Sequence, residues 1–489
     1  MKKQKQTNVV LVTIAIFVAT FMTAVEGTIV STAMPTIVGS LEGLSLMNWV
    51  VSIYLLTNAM MTPIYGKLAD RIGRKPIFMF GAILFIIGSS LCGLAQSMEQ
   101  LIVFRAIQGV GAGAIMPIAF TIIADIYPFE KRAKILGLNG AAWGVAGIIG
   151  PLLGGFIVEK LSWHWIFFIN VPVGIITTIM MYVFLVEKRE VKKAPIDYLG
   201  SITLMIALLS LLYGFQVLGE NSEISAMLIG VFAVSMLSFI LFVIVERRAT
   251  DPIIPLSLFN NRAFVIPNVI AALVSGFLIG VEMYIPMWMQ GVLGLKAAMG
   301  GFAVTPMSIT WVFGSFIAGR MIVKYATKFI LTGSILVIGA GAIFLALAPE
   351  TTDFVVFLLI SALLGIGFGI TITTTTVTVQ NVVPQDQVGV ATSFNTLART
   401  LGQTVMVSIY GIVLNMHIAN NIAANAGKGV THSMMDKLVN PLTVGELNPD
   451  LVPTLRDILY SGLHGVYFAA AITLFIALVI NLFNKKELA

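Results

Sequence analysis

Two carboxylates stand in apolar surroundings. Glu26 lies in the run Ile14 to Ile37, and Glu282 lies in the run Ile266 to Val292. They are 256 residues apart. The same shift carries Gly109, Gly111 and Gly113 onto Gly365, Gly367 and Gly369, Pro128 onto Pro384, Glu130 onto Asp386, and Asn139 onto Asn395. Removing a charge from water is costly, so an ionisable residue inside an apolar span points to function. The chemistry on offer is one negative charge that either a proton or a cation can neutralise, so the two compete. Arg105 sits about a turn inside the fourth apolar run. Its guanidinium cannot lose its proton, so it must pair with carboxylates, carbonyls or water, unless it snorkels to the cytoplasmic face or simply pins the helix. Arg399, in the thirteenth run, has no matching base in the first half, where Trp143 stands.

The elements that hold these groups follow from composition. With 489 residues, 58% hydrophobic, 11% charged and a mean hydropathy of +0.96, the chain has almost nothing left for soluble domains. Apolar runs of about 20 residues, each enough to cross a bilayer as a helix, recur along the whole length. Fourteen are read, beginning near residues 9, 46, 77, 101, 134, 164, 198, 225, 263, 301, 329, 354, 388 and 461. The expectation is an all-α polytopic membrane protein: a six-span unit (1–186), two inserted spans with charged linkers (187–261), and a second six-span unit (262–489). Duplicated halves with polar groups at their interface are the architecture of a secondary transporter. The long polar segment Met416 to Tyr460 is expected to form a solvated cap or hairpin over the outer mouth.

The net charge of +6 is an orientation signal and not a nucleic-acid surface. Of the 29 Lys and Arg, Lys160, Lys296, Lys428, Lys437 and Arg456 fall in outer loops and Arg105 and Arg399 within spans; the rest lie on one side. That places both termini in the cytoplasm. The first run is too long and too polar in its second half for a cleaved signal peptide. Cys92 is the only cysteine, so no disulfide framework or thiolate metal site is expected. His164, His417, His432 and His464 have no metal-binding spacing, and no Walker A sequence is present, which argues against an enzyme.

The loop GKLADRIGRK (66–75) has a counterpart, GRMIVKYATK (319–328), at an offset of 253. Gly66 and Gly73 give the turn backbone freedom, while Asp70 can pair with Arg71 or Arg74 or sit at a helix N-terminus. GKLADRIGRK resembles the loop signature of the major facilitator superfamily. VEGTIVSTAMPTI (25–37), WVVSIYLL (49–56), RAIQGVGAG (105–113), GPLLGG (150–155) and WIFFINVPVG (165–174) narrow the resemblance to 14-helix drug:proton antiporters of the EmrB/QacA type. Glu26 stands where that family usually has Asp.

The resemblance implies two six-helix bundles plus two inserted helices. The implied activity is proton-coupled export of lipophilic, often cationic, drugs across the cytoplasmic membrane by alternating access, with antibiotic resistance as its consequence. The alternative is export of an endogenous metabolite, lipid or peptide. No cofactor is implied; the proton gradient drives transport, and a monomer suffices. Glu26 and Glu282 are the expected coupling pair, with Arg105 in the relay beside Glu26. The glycine-rich fifth span, with Gly144, Gly147, Gly150, Pro151, Gly154 and Gly155, reads as close helix packing of the kind the family's antiporters show. Gly66, Asp70, Arg71, Gly73, Arg74 and Asp125 are expected at the conformational gate. Tyr54, Asn58, Tyr284, Trp288, Gln290, Asn395 and Arg399 are expected to line the substrate cavity, where aromatic faces suit greasy cations. The methionines of MYIPMWMQ (283–290) would add adaptability. The threonines of ITITTTTVTVQ (370–380) are expected to satisfy carbonyls of their own helix.

Overall fold

In lipid the backbone must satisfy its own hydrogen bonds, and runs of apolar residues do so as helices. The computed structural model describes residues 7–127, 135, 145–147, 149–150, 152–187, 197–220, 225–249, 252, 254–384, 388–440 and 443–484. In chain order the helices are α1 (Val9–Leu41), α2 (Met47–Ile72), α3 (Arg74–Cys92), α4 (Met98–Ile126), the short α5 (Trp165–Phe168), α6 (Asn170–Phe184), α7 (Tyr198–Glu220) and α8 (Ala226–Arg248). They continue as α9 (Arg262–Met287), α10 (Ala297–Met321), α11 (Thr327–Leu347), α12 (Phe354–Asn381), α13 (Val388–Ala424), α14 (His432–Val439) and α15 (Val452–Leu482). Among the described residues, 13 helical segments are long and apolar enough to cross a membrane. Of the fifth expected span, residues 145–147, 149–150 and 152–160 are described and helical, and most of its first half lies outside the described residues.

Side chains fix where helices begin. Asn8, Ser97, Ser225, Asn261 and Asp353 each accept a first-turn backbone N–H, which satisfies a donor the helix itself leaves free. Between α2 and α3 the chain turns at Gly73, whose φ of 113° excludes most side chains.

Glycine contacts expose the internal repeat. Gly109 and Gly113 of α4 pack on Tyr54, Thr57, Asn58 and Thr62 of α2, and Gly111 packs on Gly81 and Phe85 of α3. In the second half Gly365 and Gly369 of α12 pack on Met307, Thr310, Trp311 and Ser315 of α10, and Gly367 packs on Ser334 and Ile338 of α11. The glycines are related by 256 residues and their partners by 253. The slip read in the 66–75 loop therefore extends through both partner helices. Small residues let these backbones approach closely, which in lipid is a main source of helix association.

The start of α1, the end of α6 and the α2–α3 turn lie at one end, where Lys75 Nζ donates to the Tyr182 and Leu185 carbonyls. Asn8 donates its backbone N–H to Phe184 (3.1 Å), and Asn481 donates to Lys328 (2.9 Å). Four hydrogen bonds that join residues before 187 to residues after 262 lie toward the opposite, far end. They are Tyr284 to Asn48 (2.9 Å), Leu44 N to Asp436 (2.9 Å), Ala298 N to Glu159 (3.3 Å) and Gln290 to the Thr32 carbonyl (3.5 Å). Elsewhere α7 and α8 pack against α2 and α13 through Leu204, Leu208, Phe242, Leu56, Met60 and Leu397.

The segment 416–460 differs from its expectation. Helices α13 and α15 run 37 and 31 residues, so the connection shrinks to 425–451. Hydropathy reports where lipid ends, whereas a helix continues until a breaker stops it, and none occurs between Met416 and Ala424. Within the connection, α14 is docked: Met435, Leu438 and Val439 are buried, and Asn440 packs over Gly39 of α1.

Candidate functional site

Helix α1 separates two polar environments. At about 100° per residue, Glu26 and Thr28 project to nearly opposite sides of the helix. Glu26 points into the first half and is fully buried. Its Oε1 accepts from Arg105 Nη1 of α4 at 2.5 Å, and its Oε2 accepts from Asn170 Nδ2 of α6 at 2.5 Å. Arg105, 1% exposed, also donates from Nε to the Val50 carbonyl (3.1 Å) and from Nη1 to Gln108 (2.8 Å). Its guanidinium lies 4.1 Å from the centroid of the Tyr54 ring, where the ring face attracts a cation. Of the options open to Arg105 in the sequence, the structure shows pairing and not snorkelling. The reason is that one carboxylate, two acceptor oxygens and an aromatic face converge on a single buried cation.

Glu282 has the opposite situation. Half-buried on α9, it faces a narrow cavity with Thr28, Ser31 and Thr32 of α1, Gly147, and Val304, Met307 and Ser308 of α10. It has no ionic or hydrogen-bonding partner among the described residues. The hydroxyls of Thr28, Ser31 and Thr32 donate to carbonyls of their own helix at Ala24 or Val25, Gly27 and Thr28. Their lone pairs are what remains to face the cavity. The two carboxylates are thus unequal: one paired with a cation inside a half, one without a counter-ion among the described residues between the halves.

The fifth-span glycines bring the walls together. Gly150 and Gly154 lie against Thr28 and Ile29 of α1, while Gly147 and Gly155 lie against Ser308 and Ala298 of α10. Gly144 and Pro151 lie outside the described residues. At the α2–α3 turn, Arg74 forms an ion pair with Asp125. Glu187 accepts the N–H groups of Arg74 (2.6 Å) and Lys75 (3.3 Å), capping α3. Gly66, Asp70 and Arg71 lie in the last turns of α2; the side chains of Asp70 and Arg71 lie outside the described ones.

The expected cavity residues do not form one wall. Tyr54 stacks under Arg105, and Asn58 is half-buried on α2. Tyr284 is buried and bonded across the halves to Asn48, and Gln290 reaches the Thr32 carbonyl. Trp288 is fully buried in the second half among Phe357, Tyr460, His464 and Tyr467, with ring centroids 5.4–6.0 Å away. It is a packing anchor here, its ring meeting Phe357 of α12 and Tyr460, His464 and Tyr467 of α15. Asn395 is bonded to Asn268 (2.9 Å) and Thr376 (3.0 Å). Arg399 on α13 has a buried Nε without a hydrogen-bond partner among the described residues.

Sequence reading passed over Gln108, Asn170 and Ser89. Gln108 sits three residues after Arg105, on the same helical face. Asn170 is a lone amide in an otherwise apolar run, which was the available signal.

Comparison with known proteins identifies the family. The family model for the Major Facilitator Superfamily matches residues 16–407. Multidrug resistance protein 3 of Bacillus subtilis is 36% identical over 495 residues, covering 99% of this chain and 96% of its own. Multidrug transporter protein MdtP of the same organism is 34% identical over 510 residues, covering 99% and 94%. A bacterial homologue of the human lysosomal transporter Spinster, solved inward-facing and occupied, superposes with a TM-score of 0.68 at 17% identity, covering 96% and 95%.

Proposed function

The chain belongs to the major facilitator superfamily, and we propose that it exports lipophilic, often cationic, compounds in exchange for protons. It is a multi-pass membrane protein of a transporter family, not an enzyme, and relatives covering nearly its whole length are multidrug transporters by name. In this proposal it acts as a monomer in the cytoplasmic membrane, with both termini inside, two six-helix bundles flanking an inserted pair, and no cofactor.

The observation that carries the proposal is the unneutralised Glu282 between the halves, opposite acceptor-lined α1. A single negative charge there is satisfied by a proton or by a cation, and occupancy by one disfavours the other. That competition is antiport. Glu26, already balanced by Arg105, changes state only with a rearrangement of the groups around its carboxylate, which fits a coupling role and not a loading role. The polar links at the far end fit a state closed outward, so opening to the outside requires Tyr284, Gln290 and Asp436 to release the first half. Each charge carried across the membrane is worth about 2.3 kcal/mol per 100 mV, so voltage drives export in proportion to the net charge moved.

The test is reconstitution in proteoliposomes under an imposed pH gradient, with a monovalent dye, a divalent cation and a neutral compound. Wild type should concentrate substrate against its gradient, and Glu26→Gln and Glu282→Gln should not. Uphill export by both variants at the wild-type level would refute the assignment.

A further inference from the structure

We propose that Asn170 reports the protonation of Glu26 by turning its amide over, with Ser89 setting the resting orientation. This rests on the reading of Glu26 as a proton-coupling group. Asn170 opens α6, immediately after the break at Ile169, and is buried with Ser89. Its Nδ2 donates to Glu26 Oε2 (2.5 Å) and to Ser89 Oγ (3.0 Å), and Ser89 Oγ donates to the Phe167 carbonyl (2.8 Å).

The donors form a one-way chain. The single hydroxyl proton of Ser89 is committed to Phe167, so Ser89 can only accept from Asn170. Accepting fixes Nδ2, and not Oδ1, beside both Ser89 and Glu26. Glu26 is therefore met by donors on both oxygens, Arg105 on Oε1 and Asn170 on Oε2.

A proton arriving on Glu26 cannot point at either donor. The guanidinium has no acceptor to offer, but the amide does, once rotated by half a turn. After rotation, Oδ1 accepts the new Glu26 O–H. Ser89 then faces an acceptor and swings its own O–H from the Phe167 carbonyl to Oδ1. The net change is one proton gained on Oε2, one amide turned, and one carbonyl released at the junction of α5 and α6. Asn170 is thus a positioning residue: it carries the protonation state of α1 to a helix break, where a backbone bond is exchanged.

The experiment compares the pH dependence of transport in proteoliposomes for wild type, Asn170→Ala, Ser89→Ala, Ser89→Thr and Glu26→Gln. Removing a donor to a carboxylate favours its protonated form, so Asn170→Ala should move the profile about one pH unit upward. Ser89→Ala frees the amide to take either orientation and should move it the same way by less. Ser89→Thr keeps the hydroxyl and should restore the wild-type profile. A merely structural role would scale activity at every pH without moving the midpoint. Unmoved profiles in Asn170→Ala and Ser89→Ala, with transport lost in Glu26→Gln, would overturn the amide turn alone. A wild-type profile in Glu26→Gln would overturn both readings.

Discussion

Replacing Arg105 by Gln is expected to destabilise the protein more than replacing Glu26 by Gln, and the double replacement is expected to cost less than their sum. Removing one member of a buried pair leaves the other uncompensated, at about 3–5 kcal/mol. The structure orders the two cases within that range. Without Glu26, the guanidinium keeps the Val50 carbonyl, Gln108 and the Tyr54 face, which places the cost near the lower limit. Without Arg105, the carboxylate keeps only the neutral amides of Asn170 and Gln108 among the described residues, which places the cost near the upper limit. The double variant puts two neutral amides where the charges stood, and these can bond to each other. The coupling is then expected at about 2–3 kcal/mol, the upper part of the range for contacting residues. Thermal unfolding of the purified protein in one detergent, followed by tryptophan fluorescence, gives the ranking for all four proteins. Strict additivity, or an Arg105→Gln variant as stable as wild type, would refute the pairing.

Glu282→Gln removes a charge that has no partner, so it should leave the unfolding temperature unchanged or raised while coupled transport is lost; a large drop would mean a partner is present. Tyr284→Phe breaks the 2.9 Å bond to Asn48 across the halves. At about 1 kcal/mol for such a bond, it should shift the balance toward the far-end-open state roughly fivefold, as read by spin-label distances between α2 and α9; an unchanged distribution would count against the link. Burial pushes the Asp436 carboxyl above its ordinary range, Glu42 pushes the same way, and the Leu44 N–H and His432 oppose them. Because the docked value is raised, docking of α14 gains from protonation: the gain is full below the undocked value and is lost as pH rises through the docked one. Hydrogen exchange of residues 432–440 should therefore quicken, after correction for intrinsic rates, as pH rises through that range. Asp436→Asn should abolish the dependence.

The sequence by itself determined the all-helical membrane character, the repeat and the two acids within apolar spans. Hydropathy is a property of each residue and its neighbours along the chain, so apolar runs and the misplaced charges in them are visible without a fold. The three-residue slip between the two offsets was visible too, in the 66–75 and 319–328 loops. What the tertiary structure alone decided is partnership. Arg105 could have snorkelled; it meets Glu26 across 79 residues of chain because α1 and α4 cross at that depth. Asn170 reaches the same carboxylate across 144 residues, and no spacing rule links them. Glu26 and Glu282 read alike in one dimension, yet opposite faces of α1 leave one neutralised and the other unmatched. Helical periodicity says which residues share a face, but only packing says what that face meets.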